Sequence, residues 1–198
     1  MDGRFSSLSK LVHFSIAFLL ACAFCSLPAF PNAPTGVTDL AGNSVDPFQL
    51  AAGKVVVLIF VRTDCPVSNR YAPEIQRLSS AYSGKAQFFL VYIDKKETAD
   101  AIRKHDQEYK YNLVALRDLQ HSLVKQSNAQ ITPEAAVFDA TRRLIYHGRI
   151  DNLYEDFSHS RKSASTHELE GAIRSALSGK PLTSASSPAV GCYISDLE

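Results

Sequence analysis

Residues 54–75 read KVVVLIFVRTDCPVSNRYAPEI, and the fold is decided here. From Val55 to Val61 the run is unbroken by a polar side chain. A strand with one wet face alternates apolar and polar residues. An unbroken run of β-branched, aliphatic and aromatic residues predicts a central strand covered by helices on both sides. After a short polar turn, Pro66 fits the first position of a helix, where its missing N–H would have no intrahelical partner. Val67, Tyr71, Ile75, Leu78 and Tyr82 then recur at helical period over 66–82, a stripe that buries one face. Pro73 lies inside that span and predicts a kink. Cys65 stands at the junction of strand and helix, the edge where α/β folds gather reactive groups.

The same strand and helix alternation continues outward. TGVTDLAGNSVDPFQL (35–50) sets turn residues Gly42 and Asn43 between short apolar stretches and predicts a hairpin leading into the domain. QFFLVYID (87–94) predicts a second buried strand and ETADAIRKHDQEYKY (97–111) a polar helix. LVALRD (113–118) follows as a short strand and LQHSLVKQS (119–127) as another helix. ITPEAAVFDA and RLIYHGRI predict two strands joined at Thr141 and Arg142. STHELEGAIRSAL (165–177) closes the domain as a helix, with Ser165 and Glu168 at capping-box spacing and Leu169, Ile173 and Leu177 on its buried stripe. This order predicts an α/β sandwich, a mixed central sheet flanked by helices with an N-terminal hairpin.

The chain has 198 residues and a formal net charge of +1. That is room for one sizeable domain, with no electrostatic footprint for nucleic acid or an anionic membrane surface. Residues 1–33 are of different composition: Arg4 and Lys10 precede LVHFSIAFLLACAFCSLPAF, which predicts a secretory signal with exits near Ala29 or Ala33. An uncleaved membrane anchor and a lipid anchor on Cys22, which follows small residues in LLAC, stay open beside it. Each of the three predicts an exported domain, 34–178, in the periplasm or outside the cell, with membrane contact only through such an anchor. Of the four cysteines, cleavage would leave Cys65 and Cys192, candidates for one disulfide in an oxidising compartment. Residues 179–198 are rich in Ser and small residues and predict a flexible tail carrying Cys192.

Cys65 is the best candidate nucleophile. A helix N-terminus supplies unpaired N–H groups and a positive dipole end, and both favour thiolate over thiol. Ser68, one turn on, has a hydroxyl able to donate to the sulfur, and it cannot form a disulfide. Thr132-Pro133 opens a strand expected beside Cys65. Cis bonds are essentially confined to X–Pro, and a cis-proline exposes neighbouring backbone groups to an extended peptide; a trans proline beginning a strand is the alternative. Cys192 lies in AVGCYI, a small apolar island. The chain after Leu177 spans up to roughly 50 Å when extended, enough to bring Cys192 to Cys65. Gly191 permits a tight backbone approach; a stray thiol or an intermolecular bridge is the alternative. The six histidines form no ligand pair at helical spacing. Cys65 with His121 would offer copper two ligands and no third, so no metal site is expected. The absence of a phosphate-binding or dinucleotide glycine motif leaves no cofactor expected either.

Together, TDCPVS at a helix start, Pro73, TPEAAVFD and GRID (148–151) resemble a thioredoxin-fold redoxin. The similarity is to exported bacterial redoxin-domain proteins related to the alkyl hydroperoxide reductase/thiol-specific antioxidant group and to cytochrome-maturation thioredoxins, and it covers residues 35–178. It implies that Cys65 takes the attacking position of a C-x-x-C pair and that Pro133 is the cis-proline facing it. Thr132, Pro133 and Pro66 would then bind substrate. Ser68 stands where the second cysteine would be, so resolution falls to Cys192 or to an external thiol. Some relatives end in GC and a hydrophobic pair, as in VGCYI. The implied activity is thiol–disulfide exchange with protein or small-molecule thiols and disulfides. Two other readings stand beside it: a thiol peroxidase acting on peroxide through Cys65, and a non-catalytic thioredoxin-fold binding module. A peroxidase needs an arginine to polarise the O–O bond, for which Arg62 and Arg149 are the candidates. Its threonine lies three positions before the cysteine, whereas Thr63 lies two before.

Overall fold

A computed structural model of the chain describes residues 35–182 and 186–195. The expected signal or anchor, with Cys22, Cys25, Ala29 and Ala33, lies outside the described residues. In chain order the elements are β1 (Val37–Thr38), α1 (Pro47–Leu50), β2 (Val55–Val61), α2 (Pro66–Arg70), α3 (Ala72–Ala81), β3 (Ala86–Tyr92) and α4 (Ala99–Glu108). Then follow β4 (Val114–Asp118), α5 (Ser122–Ser127), β5 (Ile131–Thr132), β6 (Glu134–Phe138), β7 (Leu144–Gly148), α6 (Glu168–Ser178) and β8 (Cys192–Tyr193). Among the described residues no helix is long and apolar enough to cross a membrane.

Six strands form one sheet in the order β1-β4-β3-β2-β6-β7. β2, β3 and β4 are parallel, and β1, β6 and β7 join antiparallel, giving the mixed sheet expected. All seven residues of β2 are buried. Val55, Val57, Ile59 and Val61 face α3 and α6 through Leu78, Leu169 and Ile173, whereas Val56, Leu58 and Phe60 face Phe48, Leu123 and Val124. Successive side chains point to opposite faces, so a strand with helices on both sides has no polar position to offer. Each buried aliphatic or aromatic side chain here contributes about 1.5–3 kcal/mol, and that fixes β2, and with it the start of the turn that carries Cys65.

Several local expectations change. The stripe over 66–82 is carried by two helices that meet at Tyr71, which ends α2 and caps α3. Pro73 sits in the first turn of α3, where it needs no donor, so it starts a helix instead of bending one. The strand expected from Ile131 is divided at Pro133, with β5 leaving the main sheet. The 35–50 turn closes through one bridge, Thr38 to Ser44, with the Asp39 carboxylate accepting from the N–H groups of Ala41 and Asn43. The Ser165–Glu168 capping box does not form. Ser165 is bound to Asn152, and Glu168 is held by Arg149 and Thr166 instead. Leu177 is 38% exposed, past the edge of the α6 stripe.

The largest correction concerns the tail. Composition predicts residues 179–198 to be flexible, yet 186–195 lie docked on the domain. β8 pairs antiparallel with β5, Ile131 opposite Tyr193 and Thr132 opposite Cys192. The Ile194 N–H donates to the Gln130 carbonyl at 2.9 Å, and the Arg149 N–H donates to the Ser187 carbonyl at 3.1 Å. Ala189 and Ile194 are buried. Two glycines, one on each side, allow this approach. A Cβ on Gly148 would lie 2.7 Å from the Ser187 carbonyl oxygen, and one on Gly191 would lie 2.0 Å from that of Thr132. Two apolar anchors among many small residues are enough to dock a short segment when its backbone finds a strand edge.

Candidate active site

Cys65 is the N-cap of α2, with extended backbone and its sulfur accepting the Ser68 N–H at 3.5 Å. Because α2 is short and breaks at Tyr71, the sulfur meets one local N–H and not the end of the long helix expected. The Ser68 hydroxyl is buried and engaged by no other group, and its proton stabilises a Cys65 thiolate. Pro66 holds the first helical position directly after the sulfur-bearing residue.

Opposite Cys65 lies the β5–β6 junction, where the Thr132-Pro133 peptide bond is cis. The Cys65 thiol donates to the Thr132 carbonyl at 3.1 Å. Thr132 is also the residue that β8 faces, and its hydroxyl donates to the Cys192 carbonyl at 3.3 Å. Cys65, Ser68 and Thr132 are almost wholly buried, Cys192 partly so, and both cysteines are free thiols. Thus Cys65, Ser68, Pro66, Thr132, Pro133 and Cys192 converge on one place.

The two thiols differ in acidity. Burial pushes Cys65 up, but hydrogen bonds from Cys192 and Ser68 outweigh it and the thiol lies below its ordinary value. Burial, the hydrogen bond to Cys65 and the charge on Cys65 push Cys192 up to about 12. A thiolate on Cys65 is favoured by the Cys192 thiol as a donor, and the same contact makes Cys192 the poorer acid.

The turn before Cys65 is held by side chains that sequence reading missed. The Thr63 carbonyl accepts from Asn69 Nδ2 at 3.1 Å, and the Thr63 N–H donates to Glu97 Oε1 at 2.6 Å. Burial pushes the Glu97 carboxyl up. Asn69 Oδ1 in turn lies 2.8 Å from His105 Nε2. Neither Asn69 nor Glu97 carries a sequence signal, because each lies on an otherwise polar stretch and its role depends on what the fold brings beside it.

Neither arginine considered for peroxide is unengaged. Arg62 is 2.9 Å from Asp64 and 3.3 Å from Asp94, and Arg149 is bonded to the Glu168 carboxylate. The grouping among the described residues that could hold a metal is Glu74, Asp151 and His167, each with a ligand atom within 4.8 Å of the others. Both Glu74 oxygens already accept from Arg77, and Asp151 Oδ1 accepts from the Tyr71 hydroxyl at 2.7 Å. His121 stands apart from such a grouping, its Nε2 being 3.0 Å from the Ile93 carbonyl.

The Redoxin family model matches residues 27–162, which span Cys65 and Pro133 but stop short of Cys192. Similar solved structures include a hypothetical protein from Sinorhizobium meliloti, 22% identical with a TM-score of 0.67, the match covering 80% of this chain and 88% of that one. An uncharacterized conserved protein from Geobacillus kaustophilus is 22% identical with a TM-score of 0.67, covering 84% and 93%. A secreted Mycobacterium tuberculosis disulfide oxidoreductase, homologous to E. coli DsbE, is 20% identical with a TM-score of 0.51, covering 70% and 93%. At these identities the structures establish a shared thioredoxin-like fold. Among curated proteins there is no significant match. The chain belongs to the Redoxin family.

Proposed function

We propose that this redoxin is an exported thiol–disulfide oxidoreductase with Cys65 as nucleophile and Cys192 as resolving thiol. The observation that carries the reading is the meeting of Cys65 and Cys192 at Thr132, with Cys65 acidified and Cys192 held protonated. Export is supported by the basic and then apolar composition of residues 1–33.

In the reducing direction, the Cys65 thiolate attacks one sulfur of a substrate disulfide, forming a mixed disulfide and releasing the other sulfur as thiolate. Cys192 then loses its proton to solvent and attacks the Cys65 sulfur, releasing the second substrate thiolate. Two electrons pass from the Cys65/Cys192 dithiol to the substrate, and the protein is left with a disulfide that an external dithiol must reduce. The acidity pattern suits this order. Once Cys65 is in a disulfide, its charge and its hydrogen bond no longer hold the Cys192 proton, and the resolving thiolate becomes easier to form. Since Cys65 is 0% exposed, an outside disulfide reaches it only when a neighbouring segment moves. Of the segments around it, the tail carrying β8 gives up a two-residue pairing, two flanking backbone hydrogen bonds and the burial of Ala189 and Ile194.

The test is reduction of a model disulfide by the full chain and by Cys65→Ser and Cys192→Ala variants, followed by non-reducing peptide mapping. The expected outcome is a Cys65–Cys192 peptide in wild type, an accumulating mixed disulfide on Cys65 in Cys192→Ala, and loss of the reaction in Cys65→Ser. Wild type that reduces the disulfide no faster than Cys65→Ser would leave a non-catalytic binding module as the reading. Rapid mixing with hydrogen peroxide is expected to oxidise Cys65 no faster than a free thiol, because Arg62 and Arg149 are both engaged by carboxylates.

A further inference from the structure

Behind the Cys65 turn runs a buried chain of polar groups with no part in the exchange chemistry. Tyr92 Oη, on β3, lies 2.7 Å from both His105 Nδ1 and Asp106 Oδ1, on α4. His105 Nε2 lies 2.8 Å from Asn69 Oδ1, on α2, and Asn69 Nδ2 donates to the Thr63 carbonyl. The chain therefore ends two residues before Cys65.

Donor and acceptor capacity fixes most of its protons. A carbonyl only accepts, so Asn69 must turn its NH2 toward Thr63 and its oxygen toward His105. His105 must then carry a proton on Nε2. Tyr92 has one phenolic proton for two short contacts. If it goes to His105 Nδ1, then Asp106 must be a protonated carboxyl donating to Tyr92. If it goes to Asp106, then His105 Nδ1 must carry a second proton and donate to Tyr92. In both arrangements the group holds one proton more than an ionised aspartate and a neutral histidine would. Without it, two lone pairs face each other at a hydrogen-bond distance.

We propose that Asp106, Tyr92 and His105 share one dissociable proton, and that through Asn69 this chain acts as a positioning device for the Thr63–Cys65 turn. The positioning half rests on Cys65 being the nucleophile; the shared proton does not. Burial pushes Asp106 up and His105 down, and both directions favour the neutral carboxyl with the neutral imidazole. The groups facing His105 are Tyr92 from β3, Asn69 from α2, Asp106, Glu108 and Tyr109 from α4 and its end, and Tyr111 just beyond it. Glu97 adds negative potential at Tyr92, which further favours a proton retained in the group. Asp106 is only half-buried, so its proton can exchange with water.

When that proton leaves, one of three contacts loses its hydrogen, Tyr92–Asp106, Tyr92–His105 or His105–Asn69, and an opening at either of the last two loosens the hold on Thr63. An Asp106→Asn substitution separates this device from ordinary packing. Its amide N–H stands where the carboxyl proton stood, so the chain is satisfied with no carboxyl proton to lose. The experiment follows the His105 ring nitrogens by NMR, and the rate of Cys65 alkylation by iodoacetamide, across pH in the full chain. In wild type the expected result is Nε2 protonated and Nδ1 accepting until the shared proton leaves. The alkylation profile should then show a second step besides the ionisation of Cys65. In Asp106→Asn the ring signals stay constant and the second step disappears. In His105→Phe, folded by circular dichroism, alkylation falls about tenfold because the turn is misplaced. A wild-type His105 with Nε2 unprotonated, or an Asp106→Asn ring titration identical to wild type, overturns the shared proton. Ring signals as expected with alkylation unaffected in His105→Phe overturn the positioning role. Cys65 failing in disulfide exchange while both of these results hold would remove the proposed function and leave the device standing.

Discussion

The turn at 62–65 and the tail at 186–195 each bring a sulfur to Thr132, and they do so by opposite means. The turn is held by side chains reaching in from other elements, Asn69 on one amide group of Thr63 and Glu97 on the other. The tail is held by backbone pairing, two glycines that permit close approach and a buried Ile194. A frame built from several elements opens only with the domain, whereas a two-residue pairing opens alone. Under the proposed function an attacking thiol needs fixed geometry and a resolving thiol has to leave and return, and the two constructions suit those two needs.

Gly191→Ala is the sharpest way to break the comparison. Its Cβ would meet the Thr132 carbonyl oxygen at 2.0 Å, a backbone atom that cannot step aside. The docked population should fall about tenfold, equivalent to ~1.4 kcal/mol. Faster hydrogen exchange at the Ile194 amide would report it, with the unfolding midpoint of the domain unchanged. A smaller effect is expected on acidity. Cys192→Ala removes a hydrogen-bond donor to the Cys65 sulfur, so the alkylation midpoint of Cys65 should rise. In wild type, Cys192, pushed up to about 12, should stay unmodified at pH values where Cys65 reacts. The sign for stability follows from the same shift. A lowered folded-state value makes the Cys65 contribution present above the unfolded thiol value of about 8.5, and lost as pH falls through the folded one. The smallest effect separates anchor from passenger within β8. Ile194→Ala should weaken docking by about 2 kcal/mol in exchange measurements, and Tyr193→Ala, 76% exposed, by less than about 0.5 kcal/mol.

What the sequence could and could not disclose follows the same division. β2 and β3 were legible because burial on both faces leaves an uninterrupted apolar run, and Cys65 was legible because strand, proline and helix sit next to it in the chain. Cys192 and Gly191 were legible as an apolar island, while their docking was not. Ser-rich composition says nothing about a strand edge that another part of the fold exposes. The break at Tyr71 was hidden because the apolar stripe keeps its spacing across it. Asn69, Glu97 and His105 were hidden for a different reason. Each is a polar residue on a polar stretch, and only tertiary structure shows that it faces inward.

The order of the chain gives the Thr132 register a consequence in time. Every residue that frames Cys65, from β2 through the Thr132-Pro133 junction, precedes Cys192. A chain emerging N-terminus first presents Cys65 with the residues of its frame before Cys192 has been made. During that interval the edge of β5 has no strand beside it, because its pairing partner is β8.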